Sequence, residues 1–177
     1  MIVALAPMEG LTTVYYRQAL ARWFGGVDRY FTPFLTPTQD HRFTKRELRE
    51  VLPEQNDGLP TVPQLLTRNA EDFLWAAGEL TAMGYREVNL NLGCPSGTVV
   101  AKGKGSGFLA FPEELDRFLD LAFRLRLPSA TIIHGKGTGV LRQAVHSRLK
   151  GARQVKSFRL GAYGEGENGV TIVQMNI

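Results

Sequence analysis

The chain has 177 residues, 44% hydrophobic and 21% charged, which suits one ordinary globular domain and leaves a complete large barrel out of reach. Its net charge of +4 favours an anionic partner, nucleic acid first. No apolar run nears the roughly 20 residues of a membrane helix, the start "MIVALAPMEG" lacks the basic region of a secretion signal, and a single cysteine excludes an intrachain disulfide framework, so a reducing cytoplasm is the expected home.

Residues 2–9 form a short apolar run that predicts a strand, after which Thr12 or Thr13 caps a helix over "VYYRQALARWF" that Gly25 and Gly26 stop. "VDRYFTPFLTP" predicts a second strand closed by Pro37, and "TKRELREVLPE" a charged helix or loop. "LPTVPQLLT" reads as a third strand. Asn69 then caps "AEDFLWAAGELTAMG", where Phe73, Leu74, Ala77 and Leu80 recur at helical spacing and Gly84 ends the element. "REVNLNLGCP" predicts the fourth strand. Strands alternating with helices of this length imply βα units and a largely parallel sheet.

Beyond the glycine-rich loop, Pro112 opens "EELDRFLDLAFRL", with Leu115, Phe118, Leu119, Ala122 and Phe123 on one side. "SATIIHGKGTG" is a strand running into glycines, and "VLRQAVHSRLKG" a helix ending at Gly151. "VKSFRL" and "GVTIVQM" flank the loop "GAYGEGENG" with no crossover helix, so they predict an antiparallel hairpin. The pattern thus changes from βα repeats to α+β, with the join between Phe111 and Ser129.

The only cysteine, Cys94, stands where the fourth apolar run breaks into glycine, proline and lysine. The C-terminal end of a parallel strand is where α/β sheets gather their ligands, and Lys102 and Lys104 follow within ten residues. By composition alone a lone cysteine is more often a small buried hydrophobe. Gly93, Pro95 and the asparagines on alternate positions before it favour a chemical role.

"LAPMEGLTTVYYRQAL", "PTVPQLL", "GYREVNLNLGCPSGTVVAKGKGSGFL" and "FPEELDRFL", in that order, resemble the flavin-containing tRNA-dihydrouridine synthases from the first barrel strand through the fourth helix. The resemblance implies a TIM-type barrel that binds FMN, takes a hydride from NADPH and reduces the 5,6 double bond of a uridine in tRNA. It places Ala6, Pro7 and Met8 against the flavin ring, Gln64 on its polar edge, Asn91 on flavin or uracil, and Cys94 as the acid that protonates the uracil carbon. Each position has a plain structural alternative, since Pro7 and Met8 can simply end a strand and Gln64 can bond backbone. Four further βα units of the family, which bring a lysine, a histidine and the phosphate-gripping backbone, have no counterpart here. Without that backbone most of the flavin affinity is expected to be lost.

From "ATIIHGKGTG" to "GVTIVQM" the tail resembles the C-terminal half of a small MutS-related (Smr) domain, an α/β sandwich that binds branched or structured nucleic acid and in some members cuts it. In "HGKGTG", His134 and Lys136 sit on a glycine-rich strand-to-helix turn whose helix start at Gly139 and Val140 offers amide donors to a phosphate. A tight turn needing glycine is the structural alternative. Lys136, Arg142, His146, Arg148, Lys150, Arg153, Lys156 and Arg159 form a basic run with no acid before Glu165, suited to salt-dependent phosphate contacts; for Arg148 and Lys150 alone a solvated helix face is the simpler use. His41 has no companions at metal spacing, and no metal site is expected.

These readings combine into an α/β chain of two segments. Residues 1–127 are expected to form a partial (β/α) TIM-type barrel of about four βα units, and residues 128–177 an Smr-like βαββ segment ending in an antiparallel hairpin. "EELDRFLDLAFRL" serves either segment and makes a natural crossover, so the chain reads as a chimera in which "VNLNLGC" replaces the missing Smr strand. The family function is flavin-dependent reduction of uridine in tRNA, impaired by the missing half barrel. The alternatives are a structured-nucleic-acid binding or nuclease module, with Lys102, Lys104, His134, Lys136 and Arg142 as contacts, and a recombined scaffold that retains neither. The partners expected are tRNA or other structured nucleic acid and no membrane, and a homo-oligomer would cover the open strand edges.

Overall fold

The computed structural model describes residues 2–163 and 165–177 with their side chains, that of Leu109 excepted; Gly164, in the predicted loop "GAYGEGENG", lies outside them. Two compact units emerge from its contacts, one of Met1–Thr67 with Glu71–Leu90, the other of Arg68–Ala70 with Asn91–Ile177.

In the first unit β1 (Ala4–Leu5), β2 (Arg29–Leu35), β3 (Thr61–Leu65) and β4 (Asn89–Leu90) pair in parallel, each with the next in sequence. Between them run α1 (Val14–Trp23), α2 (Lys45–Val51) and α3 (Ala70–Ala82). This is the expected partial barrel of βα units. Pro33 cannot donate to a ladder, and the β2–β3 register shifts between Phe31 and Phe34 around it, which brings Phe34 opposite Gln64. Leu35, Val51, Leu65, Ala76 and Leu80 form the core, with Phe43, Phe73, Trp75 and Tyr85 packed on it.

Three local expectations change. "TKRELREVLPE" was open between helix and loop, and a capping box decides it: Thr44 Oγ1 accepts from the Glu47 amide at 3.2 Å while Glu47 accepts from the Thr44 amide at 2.8 Å. On α3 the expected Leu80 is buried and Phe73 packs on the core, whereas Leu74 is exposed and Asp72 and Ala76 are buried beside them. The fourth strand shrinks to Asn89–Leu90, because past it the Asn91 side chain accepts from the amides of Gly93 and Cys94 at 3.1 and 3.0 Å and turns the backbone.

A buried ion pair braces this unit. Arg17, fully buried on α1, donates to Glu50 Oε2 at 3.0 Å, to the Glu50 carbonyl at 2.7 Å, to the Thr12 carbonyl at 2.8 Å and to Asn56 Oδ1 at 3.0 Å. Only its Nε lacks a partner. Glu50 also accepts from the Val14 amide at 2.7 Å, so α1, α2 and the 3-10 turn Pro53–Gln55 are tied through two charges. Burial pulls the Arg17 guanidinium below its ordinary value, opposed by its bond to Glu50.

The second unit holds α4 (Gly97–Val100), a 3-10 turn over Gly105–Ala110, α5 (Pro112–Arg124), β5 (Ser129–Ile133), α6 (Val140–Lys150), β6 (Val155–Leu160) and β7 (Val170–Met175). The three strands form a separate sheet in the order β5-β7-β6 with both pairings antiparallel, including the expected β6–β7 hairpin. Helices α5 and α6 bury Leu115, Leu119 and Ala122, and Val145 and Leu149. The segment "VNLNLGC" does not complete this sheet, since its only strand residues, Asn89 and Leu90, pair with β3. β7 occupies the central place between β5 and β6.

Candidate functional site

At the C-terminal end of β1 a turn is closed by Thr12, whose hydroxyl accepts from the Met8 amide at 2.9 Å and donates to the Met8 carbonyl at 3.1 Å. Thr12 therefore serves this turn; helix α1 has Thr13 at its N-cap and no side-chain cap bond. Ala6 and Met8 are exposed and Pro7 half-buried. Gln64 on β3 is buried, and its Nε2 donates to Asn89 Oδ1 on β4 at 2.8 Å.

Cys94 is a half-buried free thiol in a loop folded back on itself. Its carbonyl accepts from the Ser106 amide at 3.0 Å and from the Ser106 hydroxyl at 3.1 Å. Gly105 makes that closure possible, for it has φ +55 and a Cβ there would stand 2.6 Å from the Cys94 carbonyl oxygen. Asn91 holds the loop from its other end through the Gly93 and Cys94 amides. Lys102 lies exposed and Lys104 half-buried on the same loop.

The "HGKGTG" turn joins β5 to α6 with Gly135, Gly137 and Gly139 all in the left-handed region. It is docked on a second turn, Glu167–Gly169: the His134 and Gly135 amides both donate to the Gly169 carbonyl at 3.1 and 2.9 Å, and Lys136 pairs with Glu167 at 3.0 Å. A Cβ on Gly169 would meet the Gly135 and Lys136 backbone at 3.4 Å. Lys136 is well exposed and Arg142 partly so. His134 is not at the surface. It is 4% exposed, with Nδ1 3.0 Å from the Gly135 carbonyl and Nε2 2.9 Å from Thr171 Oγ1. His146 Nε2 lies 2.8 Å from the same hydroxyl, and the two imidazoles stand edge to face at 6.2 Å. Burial, then His134, Arg142 and Lys150, hold the His146 imidazole below its ordinary value.

Charges adjacent in the basic run are separated and partly neutralised in space. Arg148 pairs with Asp116, Arg159 with Glu165, and Lys136 with Glu167. The Arg159 guanidinium, followed by the Ala162 amide, lowers the Glu165 carboxyl to about 2. Thr171 and Glu167 were not legible as part of a site. Thr171 lies 37 residues from His134 in sequence, and no local pattern announces the bond.

The family model for dihydrouridine synthase (Dus) matches residues 4–122. The chain belongs to the dihydrouridine synthase family. The Smr domain model matches residues 109–176, so the two matches share residues 109–122 and meet on α5, the crossover helix. Among relatives of the Smr segment, the endonuclease MutS2 of Clostridium beijerinckii is 47% identical over 90 residues, 51% of this chain and 11% of that protein. The endonuclease MutS2 of Caldicellulosiruptor bescii is 58% identical over 62 residues, 35% of this chain and 8% of that protein. The chain thus spans about a tenth of the length of these curated relatives. The crystal structure of the Smr domain of Thermus thermophilus MutS2 is 40% identical, covering 39% of this chain and 88% of that one, with a TM-score of 0.37.

Members of the dihydrouridine synthase family generally use flavin, and FMN needs an amide-lined cradle for its phosphate dianion at the C-terminal end of the sheet. Among the left-handed glycines of the first unit, Gly26, Gly58 and Gly84 precede β2, β3 and β4 and so lie at the opposite end; only Gly10 follows a strand. The cavity of about 180 Å³ in this unit is lined by Glu9, Thr13, Phe34, Thr36, Arg46 and Glu47, and by none of the residues assigned to the flavin. The first unit by itself does not fit FMN. Among the described residues, no helix is long and apolar enough to cross a membrane, and no three His, Cys, Asp or Glu side chains group to hold a metal.

Proposed function

We propose that the chain binds structured nucleic acid, tRNA first, through the glycine-rich turn before α6. The observation that carries this reading is the docking of that turn on Glu167–Gly169, which presents Lys136 and Arg142 beside the N-terminus of an eleven-residue helix. Amide donors, a positive dipole end and two cations there suit a phosphate. Lys102 and Lys104 add charge on the thiol loop. The membership in a family that acts on tRNA and the match to the Smr domain both support an RNA or DNA partner. Binding of a labelled tRNA, measured against salt, tests it: affinity should fall as salt rises and fall further in Lys136→Ala. Binding that ignores both salt and Lys136 overturns it.

The second reading is the family's own chemistry, reduction of uridine in tRNA. One feature of this chain favours it: Cys94, a free half-buried thiol just past β4 on a loop whose Gly105 admits no side chain. Its Sγ–H would give the proton to the uracil carbon. Ala6, Pro7, Met8, Gln64 and Asn91 are the flavin contacts on this reading, with FMN and NADPH the groups the chain must still acquire. Residues 1–127 form the synthase segment of this proposal and 128–177 the Smr-like segment. Native protein that is yellow and forms dihydrouridine, but not as Cys94→Ala, supports it; colourless protein that leaves tRNA unreduced when given FMN and NADPH overturns it.

A further inference from the structure

His134, Thr171 and His146 form an ordered hydrogen-bond chain whose direction follows from donor and acceptor rules alone. A carbonyl oxygen only accepts, so the contact at 3.0 Å between His134 Nδ1 and the Gly135 carbonyl requires a proton on Nδ1. In the neutral ring Nε2 is then bare and accepts, so the Thr171 hydroxyl donates to it across 2.9 Å. That hydroxyl has spent its only proton and must accept from His146, whose Nε2 therefore carries one across 2.8 Å. The two neutral histidines are thus held in opposite tautomers by one threonine with no solvent exposure.

We propose that His146 and Thr171 are positioning residues that lock His134 as the neutral Nδ1–H tautomer, and that this lock sets the glycine-rich turn for its anionic ligand. The groups facing the pair are few. His146 meets His134 from the end of β5, Thr171 from β7 and the Phe158 ring from β6 at 5.0 Å, with Arg142 and Lys150 on its own helix. Among the described residues no carboxylate bonds to either ring, and the cations on α6 oppose a further positive charge. Protonating His134 would place a second N–H against the Thr171 hydroxyl, whose proton must then turn away inside the protein. The chain of bonds ends at the Gly135 carbonyl, the first link of the turn that carries Lys136.

The inference rests on the nucleic-acid reading for its affinity arm alone, and the spectra below decide the hydrogen-bond order without it. The full chain labelled with 15N-histidine, held about one pH unit above the ordinary imidazole value near 6.5, is read by long-range 1H–15N correlation. The expected pattern is a protonated Nδ1 and bare Nε2 for His134 and the reverse for His146. A protonated His134 Nε2, or averaged tautomers for both rings, overturns the proposal. In Thr171→Val the fixed tautomers should be lost and a fluorescent RNA hairpin should bind about fivefold more weakly, with Thr171→Ser restoring both; tautomers unchanged in Thr171→Val overturn it. Should the valine variant not fold, the spectra of the unaltered chain still decide. Failure of the unaltered chain to bind the hairpin overturns the nucleic-acid reading and the affinity clause with it, whatever the spectra show.

Discussion

The two units use their charges in opposite ways. In the first, Arg17 and Glu50 are withdrawn from solvent and hold α1 and α2 together through five hydrogen bonds to named atoms of the same network. In the second, the pairs Arg148–Asp116, Arg159–Glu165 and Lys136–Glu167 lie at the surface. A buried charge left alone is expensive because no water replaces its partner, whereas a surface charge is promptly rehydrated. The first unit therefore depends on its ion pair for integrity, whereas the surface pairs of the second open at little cost.

The largest effect that tests this contrast comes from Glu50→Ala. It strands Arg17 and should cost the first unit about 3–5 kcal/mol in chemical denaturation, while Asp116→Ala in the second should shift the transition by no more than measurement error. Equal losses in the two variants would erase the contrast. Next is Gly105→Ala, which strains a left-handed residue and drives a Cβ toward the Cys94 carbonyl; a loss of roughly 1–3 kcal/mol is expected, with faster thiol labelling of Cys94 as the loop opens.

Tyr85 offers a smaller test inside the first unit. Its hydroxyl donates to the Val51 carbonyl at 2.8 Å, and burial, opposed by Arg17, pushes the phenol up to about 12. A folded value raised above the unfolded 10.0 means that the folded chain keeps its proton longer, so this stabilisation is full below 10 and is lost as pH rises toward 12. Tyr85→Phe should remove that alkaline slope and cost about 1 kcal/mol at neutral pH, read by denaturation at a series of pH values. The smallest effect sharpens the other side of the comparison. Glu167→Gln frees Lys136 from its partner and should tighten RNA binding about twofold, read by fluorescence anisotropy; weaker binding would make the pair part of the interface.

Legibility tracked the range of the interactions. The βα repeats, the switch to α+β after Phe111 and the final hairpin were readable because apolar periodicity and glycine punctuation are local signals. The capping box over Thr44 and Glu47 was equally local, yet the charged run "TKRELREV" masked it. The length of the fourth strand was not readable, since Asn91 ends it through a side-chain turn that leaves the apolar run intact. At the candidate sites the residue types were visible and their partners were not. His134 looked like a surface ligand of the glycine turn and is instead buried under it, and the basic run that met no acid before Glu165 meets Asp116 from another helix.

By itself the sequence determined the order and type of elements, the two-segment descent and the place of the glycine turns, because each depends on residues within a few positions of one another. Only the tertiary structure decided which charges are buried, which are paired, and that one threonine joins two histidines. The buried ion pair and the histidine chain join side chains 25 to 37 residues apart in sequence, and dielectric and solvent access, which set their energies, exist only after the chain has folded.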